Sequence, residues 1–173
     1  MRLAIDIILL LVAAQRLIEV AYAERNTRAL KARGAVEVGR SHYPLIVLLH
    51  AAWLGAIVLL LPEGATIHWP AMILFVALQL ARVWVIATLG PYWTTRIITL
   101  EGAPLVRKGP YRFVRHPNYL VVAGEIAALP LAFGEVGVAI AFTVLNGLML
   151  AWRIRKEDMA LAARRANLAV EAR

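Results

Sequence analysis

The stretch WPAMILFVALQLARVWVIATL, from Trp69 to Leu89, decides the fold class of this chain. It is almost entirely apolar, and it has the roughly 20 residues that a helix needs to cross a hydrocarbon core about 30 Å thick. Two apolar runs precede it and two follow it. The sequence therefore predicts an all-α, polytopic integral membrane helical bundle with about five spans: Leu3 to Ala23, Tyr43 to Leu61, Trp69 to Leu89, Tyr119 to Phe133 and Val136 to Trp152.

The composition of the whole chain supports this fold class. Of its 173 residues 61% are hydrophobic, and the mean hydropathy of +0.69 exceeds what soluble domains carry. These values exclude disorder, an ordinary soluble α/β enzyme and, despite a net charge of +8, a nucleic-acid-binding module. The absence of cysteine excludes a disulfide scaffold, a thiolate zinc site and a cysteine nucleophile. We expect residues 1–173 to form a single domain without a metal site.

The distribution of cations predicts the orientation of the spans. Lysines and arginines cluster between spans one and two, between spans three and four, and after span five. On the opposite side Arg2 is the only Lys or Arg, and the loops there carry Glu63 and Glu135. Because cytoplasmic loops are enriched in Lys and Arg, we expect the N-terminus outside and the three basic regions at the cytoplasmic face of a bacterial inner (plasma) membrane. Most of the positive charge is thereby explained by topology.

Each predicted span carries one polar residue roughly 9 to 11 Å from its cytoplasmic end, counting 1.5 Å per residue. These residues are Arg16, His50, Arg82, Glu125 and Asn146. Ionisable groups at such depth are costly unless they face a partner or a wet cavity. Two interpretations remain open here: an ion-pair network with Arg82 and Glu125 as its main pair, or the floor of a pocket that opens to the cytoplasm. For Glu19, three residues after Arg16, we expect local charge compensation.

Two cytoplasmic segments carry residues suited to binding and catalysis. In APLVRKGPYRFVRHPNY, residues 103–119, three prolines exclude a continuous helix and favour extended backbone at Ala103, Gly109 and His116. This predicts an irregular loop with free backbone groups, surrounded by aromatic rings that suit a flat heterocycle or an organic cation. In WRIRKEDMAL, residues 152–161, the side chains of Arg153 and Glu157 share one helical face. Alone, that spacing is typical of an ordinary ion pair.

Taken together, these segments resemble the isoprenylcysteine carboxyl methyltransferase family. The resemblance rests on GPYRFVRHPNY, on a glutamate nine residues after its histidine, and on an arginine followed four residues later by an acidic pair. It is close from Leu105 to Leu161 and rests only on the pattern of spans before that. It implies an integral membrane methyltransferase that uses S-adenosyl-L-methionine (SAM), bound within residues 103–161. The implied SAM contacts are Leu105, Val106, Tyr111, His116, Pro117, Asn118, Tyr119 and Glu157.

The resemblance also implies an in-line methyl transfer that needs no metal, and it matches Arg153 to the substrate-side arginine of the family. A carboxylate acceptor is already ionised at neutral pH and needs only orientation, which Arg153 can give through paired hydrogen bonds. A phenol or enol needs a proton acceptor, for which Glu125, His50 and His42 are the candidates. We therefore expect Arg153 and Glu125 to be the catalytic residues.

The first half of the chain, with QRLIEV, AERN and GRSHYPL, looks like a bacterial subgroup associated with type III polyketide synthases. That similarity implies O-methylation of long-chain alkylpyrones or alkylresorcinols. We expect a lipophilic acceptor with an alkyl or prenyl tail, reached from the lipid bilayer, and no nucleic acid partner. The oligomeric state is not indicated. The alternatives are a phospholipid N-methyltransferase, an NADPH-dependent membrane reductase of related fold, and a non-enzymatic small transporter.

Overall fold

A computed structural model describes residues 1–40, 43–103 and 106–171 of the chain, with side chains described up to residue 162. The expected all-α membrane bundle is confirmed. Each predicted span overlaps one helix of the bundle. The helices are α1 (Arg2–Ala32), α2 (Tyr43–Leu60), α3 (Trp69–Leu89), α4 (Pro117–Ala132) and α5 (Val136–Glu171).

The surface of the bundle is that of an integral membrane protein. Within the described residues, three helical segments are long and apolar enough to cross a membrane: Tyr43–Leu60, Trp69–Tyr92 and Val136–Ala162. Large apolar side chains remain exposed along the helices, for example Leu59, Leu80 and Leu148. A continuous apolar surface of this kind is a liability in water and the normal condition in lipid. These side chains therefore face the hydrocarbon core.

The centre of the bundle is held by close packing of α4 against its neighbours. A Cβ atom built at Gly124 of α4 would lie only 2.8 Å from Leu78 Cδ1 on α3, so the glycine permits the close approach of these two helices. On α2, the buried Trp53 donates from Nε1 to the carbonyl oxygen of Ile126 on α4, at 3.1 Å. The apolar core between the helices is built from Ile5, Leu9, Val12, Trp53, Ile57, Met72, Phe75, Val122, Ile126 and Leu129.

Two helices extend beyond the spans that the apolar runs predict. Helix α1 continues past Ala23 to Ala32, and α5 continues past Trp152 to Glu171. Hydropathy marks the membrane boundary and not the end of the helix, because a helix can continue in water wherever it finds packing partners. The extension of α1 finds them, since Asn26, Thr27 and Leu30 are buried.

A short antiparallel β ladder, which the sequence did not predict, joins the connection after α1 to the connection after α3. Strand β1 (Val36–Val38) pairs with β2 (Ile97–Thr99), and Glu37 faces Ile98 in register. The Glu37 carboxylate accepts hydrogen bonds from Lys31 at 2.5 Å, Arg96 at 2.8 Å and Arg40 at 3.3 Å. Burial alone would raise the pKa of Glu37, but these three cations outweigh it and lower the pKa to about 2. The ladder is thus fixed by charge as well as by its backbone.

Candidate active site

A cavity of about 710 Å³ lies at the end of the bundle that carries the basic loops. Its size falls within the range of roughly 300–1,000 Å³ that is typical of small-molecule sites. Seven of the ten residues expected to form the site line this cavity. They are Val106, Tyr111, His116, Asn118, Tyr119, Arg153 and Glu157.

The other three expected residues are placed differently. Pro117 is the first residue of α4, where a proline is favoured because the backbone N–H it lacks would have no helical partner. Glu125 is buried deeper in the bundle and is not among the residues that line the cavity. Leu105 lies outside the described residues, and so does His42, which was one candidate for a base.

Two Gly-Pro-Tyr turns border the cavity from different parts of the chain. The first Gly-Pro-Tyr turn (Gly90–Tyr92) follows α3, and the second (Gly109–Arg112) precedes α4; each is one turn of 3₁₀ helix, and both tyrosines line the cavity. The expectation of extended backbone at Gly109 is wrong, because its φ is 55°. Glycine is favoured there, because φ is positive and a Cβ would lie 2.5 Å from Thr88 Oγ1.

The first Gly-Pro-Tyr turn was not predicted as part of the site, although the repeated tripeptide is a signal that could have found it. The extension of α1 beyond Ala23 holds this turn in place. Asn26 is buried and donates from Nδ2 to the carbonyl oxygens of Gly90, at 3.1 Å, and Trp93, at 2.8 Å. The ring of Tyr22 stacks on the indole of Trp93, with 6.0 Å between ring centroids.

A chain of hydrogen bonds joins α4 to α5 along one wall of the cavity. The buried Arg153 donates from Nε to the Tyr119 hydroxyl at 2.8 Å, and that hydroxyl donates to the Glu157 carboxylate. Arg153 also donates from Nη2 to the carbonyl oxygen of Thr95, at 2.5 Å. The His116 ring stacks on Tyr119 with 5.4 Å between centroids. Thus Arg153 and Glu157, which their spacing puts on one helical face, are linked through a tyrosine of the neighbouring helix.

Unpaired buried polar atoms occur on two of the cavity-lining side chains. Asn118 Oδ1 and Trp93 Nε1 are buried, and neither has a hydrogen-bond partner in the described part of the chain. Leaving such a group unpaired costs about 1–3 kcal/mol. One atom is an acceptor and the other is a donor. Each residue therefore has an unused hydrogen-bonding atom and lines the cavity.

Charge in the cavity lining is predominantly positive. Within the described residues, the lining contains four arginines, Arg107, Arg112, Arg115 and Arg153, and one carboxylate, Glu157. Burial, together with the charge of Glu157, raises the pKa of Tyr111 above its ordinary value, so its hydroxyl stays neutral at physiological pH. The cavity therefore favours ligands that carry negative charge.

A separate polar cluster lies within the membrane part of the bundle. Glu125 accepts hydrogen bonds from Arg82 Nε at 2.8 Å, Gln79 Nε2 at 2.7 Å and Arg16 Nη2 at 3.1 Å, and it also pairs with Arg82 Nη2. Glu19 accepts from Arg16 at 2.8 Å and from Arg82 at 3.2 Å, so its role is not only local. The charges of the two arginines and the two glutamates cancel, which corresponds to the ion-pair interpretation of the polar layer.

The other two members of the expected polar layer, His50 and Asn146, form no hydrogen bond with this cluster within the described residues. His50 contacts its own helix, with Nδ1 2.8 Å from the carbonyl oxygen of Ile46. Asn146 is buried on α5. Gln15 and Gln79 were not predicted, yet their side chains bond to each other at 2.9 Å and extend the cluster. The signal that could have identified them is a side-chain amide within an otherwise apolar run.

Comparison with known proteins relates just over half of the chain to a protein family and most of it to bacterial proteins. The model of the isoprenylcysteine carboxyl methyltransferase (ICMT) family matches residues 71–163, just over half of the chain and most of the cavity lining. An uncharacterized protein of Bacillus subtilis, YpbQ, is 37% identical over 159 residues, which cover 90% of this chain and 95% of that protein. An uncharacterized protein of Haemophilus influenzae is 28% identical over 166 residues, which cover 92% and 96%. No solved structure shows significant similarity to the chain.

Proposed function

The chain belongs to the isoprenylcysteine carboxyl methyltransferase family, and we propose that it is a SAM-dependent O-methyltransferase with a lipophilic, anionic acceptor. Family membership makes it a membrane methyltransferase; the donor, the acceptor and the methylated atom are the proposal. One observation carries it. Six of the eight positions that the family resemblance assigns to the donor line the same cavity as Arg153.

The residues of the cavity fit the methyl donor. SAM supplies a methyl group on a sulfonium, which an oxygen nucleophile displaces in line. The unpaired Asn118 Oδ1 is an acceptor for an ammonium or an amine of such a ligand. Glu157 offers a carboxylate to the same groups or to a ribose hydroxyl, and the neutral Tyr111 ring offers a face to the heterocycle. His116 and Tyr119, already stacked on each other, extend that aromatic wall.

The charge of the cavity favours an anionic acceptor. SAM carries a net positive charge at neutral pH, and a lining with more arginines than carboxylates repels a cation bound alone. An acceptor with an ionised oxygen offsets this repulsion. Arg153 can orient that oxygen through its planar fork of donors. The protonated amine of a phospholipid headgroup would meet the same arginines unfavourably, which favours O-methylation over N-methylation.

An ionised oxygen also removes the need for a base, and this bears on Glu125. Its carboxylate is occupied by Arg82, Arg16 and Gln79, outside the cavity lining. We therefore propose Arg153 as the residue that contacts the acceptor, and a stabilising role in the bundle for Glu125. The work that remains for the enzyme is alignment of the oxygen with the methyl carbon and exclusion of water.

The proposal includes the membrane topology of residues 1–173 as a single domain. We place five spans across the membrane, the N-terminus outside, and the cavity at the cytoplasmic face of a bacterial inner membrane. Helix α1 carries charges at bilayer depth, but Arg16 pairs with Glu125 and Glu19 pairs with Arg82, so the bundle neutralises them. The positive-inside distribution of Lys and Arg supports the orientation. An acceptor tail then reaches the cavity from the bilayer, and SAM reaches it from the cytoplasm.

Two measurements on the purified, detergent-solubilised protein test this function. Calorimetric titration with SAM and with its demethylated product, S-adenosylhomocysteine, is expected to show binding of both. Incubation with isotopically labelled SAM and fractionated membrane lipids, followed by mass spectrometry, is expected to show a gain of about 14 Da, one CH₂, on an oxygen of a lipophilic acid or enol. Folded protein that binds neither compound contradicts the proposal. A methylated nitrogen would identify an N-methyltransferase, and binding of NADPH would identify a reductase.

A further inference from the structure

We propose that the segment from Gly90 to Thr95 forms the acceptor-binding wall of the cavity, and that the Trp93 indole N–H hydrogen-bonds one oxygen of the acceptor head. This inference rests on the proposed methyltransferase function. It assigns a recognition role to the first Gly-Pro-Tyr turn, which lies outside the motif that suggests the donor site. The ligand class is an oxyanion head with two hydrogen-bond-accepting oxygens, on a lipophilic tail.

The segment is in direct contact with the arginine on the acceptor side. Tyr92, Trp93 and Thr94 line the cavity, and the next residue, Thr95, accepts a hydrogen bond from Arg153 Nη2 at 2.5 Å. The segment and Arg153 therefore belong to one continuous wall. The second Gly-Pro-Tyr turn and the start of α4 supply the donor-binding residues, so the two turns divide the cavity between two ligands.

The wall is held in place without a ligand. Asn26 binds two of its carbonyl oxygens, those of Gly90 and Trp93. At the other end, the Tyr43 hydroxyl lies 3.1 Å from Thr95 Oγ1. Contacts from α1 and α2 thus fix the segment at both ends. A fixed wall loses little conformational entropy when a ligand binds, which is a property of pre-organised sites.

The Trp93 indole is the group of this wall that lacks a partner. Its Nε1 is buried and has no hydrogen-bond partner among the described residues, and Tyr22 stacks on the ring. Trp53, equally buried in the bundle, instead donates from its Nε1 to the carbonyl oxygen of Ile126. An indole N–H can only donate, and the same is true of the Arg153 guanidinium. Two donors on one wall select a head with two acceptor oxygens and leave an ammonium head unsatisfied.

This arrangement is consistent with the balance of the transfer reaction. One oxygen of the head bonds to the methyl carbon while the carbon–sulfur bond breaks and the sulfur keeps that electron pair. The other oxygen keeps its hydrogen bond on the wall and fixes the head during the displacement. The ionised oxygen becomes a neutral ester or ether oxygen, so no proton has to be moved. A carboxylate fits this description. A 4-hydroxy-2-pyrone also fits it, with the ionised 4-hydroxy oxygen as the nucleophile and the 2-carbonyl oxygen as the second acceptor.

The test compares Trp93→Phe with Trp53→Phe as the matched control. The acceptor probes are N-acetyl-S-farnesylcysteine and a 6-alkyl-4-hydroxy-2-pyrone; the donor probe is S-adenosylhomocysteine. For Trp93→Phe we expect donor affinity within about twofold of wild type and an acceptor KM about tenfold higher, since one hydrogen bond is lost. We also expect loss of the rise in Tm that the acceptor causes in the presence of saturating S-adenosylhomocysteine. Trp53→Phe is expected to lower the Tm and leave the acceptor KM unchanged.

A second replacement at Trp93 keeps the test valid if the phenylalanine variant fails to fold. Substitution by 3-benzothienylalanine retains the ring size and replaces the N–H with sulfur, and it is expected to reproduce the acceptor defect. Unchanged acceptor KM in either folded variant overturns the inference, as does a defect confined to S-adenosylhomocysteine binding. Failure of both acceptor probes to bind wild-type protein that binds the donor probe also overturns it. Failure of the donor probe to bind contradicts the proposed function itself.

Discussion

Arg153 and Tyr119 meet across the junction of α5 and α4, where the buried guanidinium donates from Nε to the tyrosine hydroxyl at 2.8 Å. The same guanidinium is held from another side by the carbonyl oxygen of Thr95. Its plane is therefore fixed by two different elements of the chain. Because the hydroxyl of Tyr119 in turn donates a hydrogen bond to the Glu157 carboxylate, one tyrosine links the arginine proposed to bind the acceptor to the glutamate proposed to bind the donor.

Replacement of Arg153 by lysine tests the need for this fixed fork. Arg153→Lys keeps a positive charge but loses the planar set of donors. We expect kcat/KM for the acceptor to fall about 10- to 100-fold, which corresponds to one lost hydrogen bond to a charged group. We expect S-adenosylhomocysteine affinity to stay within about threefold. Steady-state rates with labelled SAM, together with calorimetry, measure both quantities.

Arg155→Lys is the control for this prediction. Arg155 is exposed on the same helix and is not part of the cavity lining, so the variant is expected to match wild type. An equal loss of donor and acceptor binding in Arg153→Lys would contradict an acceptor-side role for the arginine.

Glu157→Gln tests the contribution of the single described carboxylate in the cavity lining. The substitution keeps the shape of the side chain and removes its negative charge. The four arginines of the described lining then have no carboxylate beside them in that lining. We expect the dissociation constant of S-adenosylhomocysteine to rise about tenfold, because the ligand's ammonium loses a charged partner. Glu101→Gln, on an exposed residue outside the lining, is the control. Equal affinities of the two variants would remove Glu157 from the donor site.

The helices and one half of the site follow from local features of the sequence. Apolar runs place the helices, and the GPYRFVRHPNY motif identifies the family, which the match over residues 71–163 confirms. The second half of the site depends on contacts between distant segments. From the sequence alone, Trp93 resembles any aromatic residue at a membrane boundary. The hydrogen bond from Asn26 Nδ2 to the Trp93 carbonyl oxygen shows that the first Gly-Pro-Tyr turn is fixed beside the cavity.

Other features escaped prediction for related physical reasons. Strands β1 and β2 have three residues each, too few to show a period of two, and the ion pair from Glu37 on β1 to Arg96 beside β2 joins segments that are distant in the sequence. Gly109 precedes a proline, which favours extended backbone for most residues, yet its φ is positive and Thr88 approaches closely where a Cβ would lie. In each case a tertiary contact outweighs a local preference.

Arg82→Leu tests whether the deep polar cluster stabilises the bundle. Removal of one partner leaves the Glu125 charge buried without its main counter-ion, which is expected to lower the free energy of unfolding by about 3–5 kcal/mol. The double variant Arg82→Leu/Glu125→Leu is expected to be more stable than the single one, since no unpaired charge remains. Thermal and denaturant unfolding in detergent measure the difference. A single variant that is fully stable but inactive would instead indicate that the cluster takes part in catalysis.

Gly109→Ala tests the contact between the second Gly-Pro-Tyr turn and α3. An alanine Cβ at Gly109 would lie 2.5 Å from Thr88 Oγ1 and would sit at positive φ, whereas Gly90→Ala meets only the positive φ. Strain at positive φ costs about 1–2 kcal/mol, so we expect Gly109→Ala to lower the Tm more than Gly90→Ala does. Adding Thr88→Gly to Gly109→Ala is expected to restore part of the loss. Equal Tm values for Gly90→Ala and Gly109→Ala would mean that the Thr88 contact yields without cost.

The pH dependence of stability tests the charge cluster on β1. The pKa of Glu37 in the folded protein is about 2, below its ordinary value of 4.5, so the unfolded chain takes up this proton at higher pH than the folded protein does. Its contribution to stability is therefore complete above about pH 5 and is lost as the pH falls from 4.5 toward 2. We expect the Tm of Glu37→Gln to lie below that of wild type at neutral pH, and the gap to close over this acidic range. Glu63→Gln, in an exposed turn at the other end of the bundle, controls for the change in net charge. A gap that stays constant from neutral pH to about pH 2 would mean that Lys31, Arg40 and Arg96 do not hold the Glu37 carboxylate in solution.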